Sequence, residues 1–148
     1  MKYSMKLLCT IIGLTFFSAT TAQAQAQTVT TVIVKNQLQK PVSLVSTNIL
    51  GTATPSIPSS ILPKTNAFFT IRNPFTNIAS IHFSYSAGTQ QCRFSTSLTT
   101  TPTIVGTTIP NWTKQGTSTG SAFVNCDAKI TIANPSSPYN YTVEFTLR

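Results

Sequence analysis

Acidic side chains are nearly missing from this sequence. Asp127 and Glu144 stand against ten lysines and arginines, and only 8% of the 148 residues are charged. An ordinary soluble domain carries roughly 25%. Such scarcity excludes a coiled coil, which needs abundant Glu and Lys. It also removes most acid–base chemistry, because Asp127, Glu144 and the single histidine, His82, are the whole stock of carboxylates and imidazole. Glycoside hydrolysis needs two carboxylates flanking one bond, and only that one pair exists. A Ser-His-Asp arrangement would have to use His82 and Asp127, yet no G-x-S-x-G motif accompanies them. Metal chemistry lacks H-E-x-x-H, an Asp-rich calcium loop and paired Cys/His spacings. The six glycines never gather into a phosphate-cradling loop. These absences predict a protein that is not an enzyme and carries no metal or cofactor.

Long apolar runs are missing too. The one candidate, residues 7–17, falls short of the roughly 20 residues a membrane span requires, so no transmembrane span is expected. That run follows Lys2 and Lys6 and precedes small residues containing Ala22-Gln23-Ala24 and Ala24-Gln25-Ala26. A positive start, a short apolar stretch and an A-x-A site are the parts of a secretory signal peptide. Residues 1–26 are therefore assigned to a signal cleaved after Ala24 or Ala26, and residues 27–148 to one domain. The repeated Ala-Gln resembles a bacterial export signal. Cys9 has Leu8 before it and lies ahead of most of the apolar run, which argues against a lipoprotein anchor. The expected location is outside the cell or in the periplasm.

Removing Lys2 and Lys6 from the ten cations leaves eight against two acids, a net charge of +6 for the exported chain. The eight are scattered singly, without the clustering of a nucleic-acid tract. A dispersed basic surface keeps a protein soluble and attracts anionic partners such as phospholipid head groups or acidic glycans. Of the three cysteines, Cys92 and Cys126 remain after export, an even pair in an oxidising compartment. A bridge between them would tie two strands and contribute about 3–4 kcal/mol in the chain-entropy model.

What the sequence has in plenty is β-branched residues in short alternating runs. In residues 139–148, Tyr139, Tyr141, Val143, Phe145 and Leu147 fall on one face and polar residues on the other. Strict period-2 alternation marks a half-buried strand. Residues 79–86 repeat it, with Ile81, Phe83 and Tyr85 inward and His82 outward. Residues 123–132 would place Ala128, Ile130 and Ile132 opposite Asp127, Lys129 and Thr131. Weaker candidates are 28–35, 42–46, 67–72 and 91–98, giving about seven strands. Proline, Gly88 and the 134–138 segment punctuate them. No 3.6-residue apolar period is sustained outside the signal. The expected fold is all-β: a single-domain antiparallel β-sandwich, immunoglobulin-like in the broad sense, with one disulfide. A small closed barrel is the alternative.

Two connections exceed the usual loop length, residues 47–63 and 99–120. Either they form a contact surface, or they wrap over the sandwich and bury Ile49, Leu50, Ile57, Ile61, Leu62 and Ile104. The second holds the single tryptophan in Pro110-Asn111-Trp112-Thr113-Lys114. An exposed Trp112 can stack on a sugar ring or sit at a lipid interface, with Lys114 holding an anionic group and Asn111 beside it. A buried Trp112 would serve the core instead. Asn111-Trp-Thr113 and Asn140-Tyr-Thr142 match the N-glycosylation pattern, which has no meaning in a bacterial product.

The reading that follows is a secreted bacterial binding or virulence factor, effector- or adhesin-like, a monomer or weak oligomer. It would contact a glycan, an anionic membrane or a host protein through the 99–120 loop. Two alternatives belong to other classes. Thr/Ser-rich, disulfide-bonded sandwiches with alternating terminal strands resemble chaperone–usher pilins, which implies a surface-fibre subunit that donates a strand, here residues 28–35. A small membrane-binding sandwich protein is the other.

Overall fold

A computed structural model describes residues 27–148; the expected signal segment, 1–26, lies outside the described residues. The chain forms β1 (Val29–Asn36), β2 (Val42–Ile49), β3 (Thr52–Thr54), β4 (Ser60–Ile61) and β5 (Asn66–Arg72). It continues through β6 (Ile78–Ala87), β7 (Gln90–Pro102), β8 (Thr108–Ser118), β9 (Cys126–Ala133) and β10 (Tyr141–Leu147). Two five-stranded sheets result. The first has the order β3-β5-β1-β10-β9 and the second β4-β2-β6-β7-β8. Every pairing is antiparallel except β1 with β10, which run parallel from Thr30↔Tyr141 to Asn36↔Leu147.

Alternation decides which face goes in. In β10, Tyr141, Val143, Phe145 and Leu147 are buried while Thr142, Glu144 and Thr146 point outward. β6 turns Ile81, Phe83 and Tyr85 inward and leaves His82 exposed. Phe83 joins the layers: its ring centroid lies 6.0 Å from Phe69 and 5.2 Å from Phe145 of the first sheet, and 5.6 Å from Phe94 beside it. The Phe69 and Phe145 pairs are edge-to-face, an arrangement that contributes about 0.5–1.5 kcal/mol each beyond burial. The Cys92–Cys126 disulfide runs from β7 to β9, so it clamps one sheet to the other.

All seven expected strands are present, and three more appear. β3 and β4 occupy the 47–63 connection, after β2 runs on to Ile49. Of the residues expected to be buried there, Ile61 is in the core and Ile49 and Ile57 pack against it, but Leu62 is exposed. Two further corrections concern β9. It begins at Cys126 rather than Phe123, which lies in solvent. Ile132 does not share the face of Ala128 and Ile130. A register shift beside Thr142 and Val143 pairs it with Thr142, so it turns to the outer face and is 65% exposed. Residues 28–35, the donor segment of the fibre reading, lie in and beside β1, which is paired on both sides by the chain's own β5 and β10.

The pairings gather the connections into two ends. Residues 50–51, 73–77, 103–107 and 134–140 lie at one end; residues 37–41, 62–65, 88–89 and 119–125 lie at the other. Thr28 laces the first end. Its amide donates to Phe75 O, its hydroxyl is shared between Pro138 O at 2.6 Å and Thr76 O at 3.0 Å, and its carbonyl accepts from Asn73 N.

Candidate functional site

The 99–120 segment is not a loop. β7 and β8 pair over eleven positions, from Cys92↔Ser118 to Pro102↔Thr108, leaving only residues 103–107 as a turn. Threonine-rich sequence suits extended backbone because β-branched side chains prefer it. The apolar alternation that reveals a strand is missing here because neither face of the outer half is covered. β6 accompanies β7 only as far as Ile78↔Thr99. Beyond that pair, Thr100–Pro102 and residues 108–110 continue as a two-stranded ribbon, about 10 Å at 3.4 Å per residue. Pro110 is tolerated because β8 is an edge strand.

The turn satisfies much of its own polarity. Thr103 N donates to Thr107 O at 2.8 Å, Gly106 N donates to Thr103 O at 3.1 Å, and Thr107 N donates to the Thr103 hydroxyl at 3.2 Å. Gly106 takes φ +78°, a left-handed conformation that costs glycine nothing. At the apex Ile104 is 107% exposed and Val105 83%. Ile104, expected as part of a wrapped-over loop, therefore points into solvent. Ile109 is also exposed, and so are Phe75 and Ile78 at the same end of the sandwich.

The three residues singled out in the sequence divide between two faces. Trp112 pairs with Leu98 and Lys114 with Thr96, on the inward face; Asn111 pairs with Thr99 on the outward face. Trp112 and Lys114 are thus brought together, and Asn111 is turned away from them. Lys114 is exposed at the rim. Trp112 is half-buried against the core, and its Nε1 is buried without a hydrogen-bond acceptor. The indole is therefore only partly open to a ligand. Apex residues Ile104 and Val105 were missed as site candidates; their signal was an aliphatic pair before Gly106 in a stretch without charge from residue 94 to 113.

The titratable groups stay apart. Glu144 pairs with Lys35 at 2.7 Å and Asp127 with Arg148 at 2.8 Å, both on the outer face of the first sheet. His82 lies on β6 in the other sheet, facing outward, so it does not meet either acid. Among the described residues no group of three or more His, Cys, Asp or Glu could hold a metal, and no helix is long and apolar enough to cross a membrane. Burial pushes the Tyr85 and Tyr141 phenols above their ordinary range. Tyr85 donates to Pro58 O at 2.6 Å, and the Tyr141 hydroxyl lies 3.4 Å from that of Thr96 across the two sheets. An open depression of about 540 Å³ at the opposite end is lined by Asn36, Gln37, Lys64, Asn66 and Arg148. All five lining residues are polar or charged. No protein-family model matches the chain, and no curated protein matches it significantly.

Proposed function

We propose that this is an exported, non-enzymatic binding protein of bacterial origin, effector- or adhesin-like, that meets its partner through the β7–β8 hairpin. One observation carries the reading: a ribbon reaching past its neighbouring strand ends in two adjacent aliphatic side chains in full solvent. Single exposed aliphatics are ordinary, but a contiguous exposed set marks a contact surface. The scattered titratable groups support a role in contact rather than bond-making, since acid and base must converge on one substrate to act. The inter-sheet disulfide supports an oxidising location, outside the cell or in the periplasm. A glycan, an anionic membrane or a host protein is the partner class.

An array of glycans, lipids and host-surface proteins tests it, probed with the wild type and with Ile104→Ser/Val105→Ser. The apex is the right place to cut because its side chains support nothing else in the fold. Loss of the wild-type signal in a variant that melts at the wild-type temperature is the expected result. Binding undiminished in that variant would sink the assignment to the hairpin.

A further inference from the structure

We infer that the hairpin end of the sandwich inserts shallowly into an anionic lipid bilayer; this rests on the binding reading above and names its partner. Three observations converge. The first is the chemistry of the end itself. Phe75, Ile78, Ile104, Val105 and Ile109 are exposed there, and residues 47–54, 73–81 and 94–113 contain no charged side chain. An aqueous protein surface normally intersperses charge among such residues. A surface that leaves water for hydrocarbon must omit it, because each buried charge is costly.

The second is the state of the backbone. A lipid-facing segment must satisfy its own amides and carbonyls. The apex meets much of this need through the Thr103–Thr107 and Gly106–Thr103 hydrogen bonds; the ribbon behind it pairs only across its two strands, and its open outer edges stay in the hydrated head-group region. The shape is convex and projecting rather than a groove, which suits a deformable lipid surface better than a rigid protein pocket. Its reach of about 10 Å beyond β6 matches the roughly 5–10 Å depth of interfacial insertion.

The third is charge. The described residues carry eight cations and two acids, and both acids are held in ion pairs. The net charge of +6 draws the molecule to anionic lipid; of the cations outside those two ion pairs, Lys40 and Lys64 lie at the opposite end and Arg72 borders the hairpin end. Arg72 ends β5, exposed, at the border of the uncharged end. It would lie at head-group level when the apex enters the acyl region.

The test is flotation with vesicles of phosphatidylcholine and phosphatidylglycerol, 7:3, against vesicles of phosphatidylcholine alone. The full coding sequence is expressed and the disulfide-bonded product purified, so that every variant shares one N-terminus. Wild type should float with the anionic vesicles at low salt. Ile104→Asp/Val105→Asp should bind at least about tenfold more weakly, since two apolar anchors are replaced by charge. Arg72→Glu and neutral vesicles should each weaken binding several-fold, and Leu62→Asp, at the other end, should change nothing. No flotation of the wild type, or equal flotation of the apex variant, overturns the inference. The array then separates the two readings. A glycan or protein signal lost in Ile104→Ser/Val105→Ser leaves the hairpin as a binding element with another partner. A signal that persists removes both.

Discussion

A β-carbon added at Gly116 would lie 2.3 Å from the carbonyl oxygen of Cys126. Gly116 belongs to the edge strand of one sheet and Cys126 opens the edge strand of the other, so this contact closes the sandwich along one side. The neighbour is backbone, which cannot swing away as a side chain would. Gly116→Ala should therefore separate β8 from β9 and destabilise the fold by about 2–3 kcal/mol, the upper part of the roughly 1–3 kcal/mol that overpacking costs, because the obstructing atoms are backbone. Gly106→Ala provides the contrast. Nothing lies within 4 Å of that position, and only its left-handed backbone resists, at about 1–2 kcal/mol. Urea unfolding of the two variants checks the order. A Gly116→Ala no worse than Gly106→Ala would mean that the seam is loose.

Removing the nearby disulfide should act on the same seam through the unfolded chain. Cys92 is fully buried, and the bridge closes 34 residues of sequence. Cys92→Ala/Cys126→Ala should lose about 3–4 kcal/mol, most of it by freeing the denatured ensemble. Equilibrium unfolding of wild type and variant under identical non-reducing buffer measures it. The loss should fall if Gly116→Ala is already present, because the two changes touch one contact.

How far the sequence carries is shown by β10 and β8. Tyr141, Val143, Phe145 and Leu147 announce β10 because one face is buried along its whole length. β8 is silent because an edge strand with a half-solvated inner face has no reason to alternate apolar with polar residues. Once β8 is known as a strand, parity alone places Trp112 with Lys114 and turns Asn111 away. Ile132 shows the opposite failure, a clear pattern undone by one bulge that flips parity. The apolar end was hidden for another reason: Phe75 and Ile104 are 29 positions apart, and only the topology brings their loops to one end.

Asn36 fixes the end away from the hairpin. Its side-chain amide donates to Lys40 O at 2.9 Å and to Ile61 O and Leu62 O at 3.1 Å, and its Oδ1 accepts from Leu38 N at 3.0 Å. The residue is almost wholly buried. Asn36→Ala removes this donor from Lys40 O and Ile61 O, while Leu62 O keeps the Thr65 amide and hydroxyl, and should cost about 2–3 kcal/mol. Asn36→Asp sharpens the point, because a carboxylate facing carbonyl oxygens is repelled as well as unpaired. That variant should be least stable near neutral pH and recover part of the loss below about pH 4, when the acid takes a proton and can donate again. Thermal melts at pH 7 and pH 3.5, compared with wild type, read the difference.

Alkali should unfold the protein through its buried phenols. Tyr85 and Tyr141 both have pKa values raised from the ordinary 10.0, with burial the leading cause. For an acid raised in the folded state, the neutral form is the one the fold prefers. The stabilisation is complete below the unfolded value and declines as pH climbs past it, because the unfolded chain releases a proton that the folded chain retains. A phenol that stays protonated in the fold removes at most about 1.4 kcal/mol per pH unit above roughly pH 10. Tyr141→Phe keeps the ring in the core and deletes the titrating hydroxyl, so its slope against pH should be shallower than that of the wild type, although the Thr96 contact is lost at every pH. Urea midpoints at pH 8, 10 and 11 give the two slopes. Parallel lines for wild type and Tyr141→Phe would show that this phenol ionises as readily in the fold as out of it.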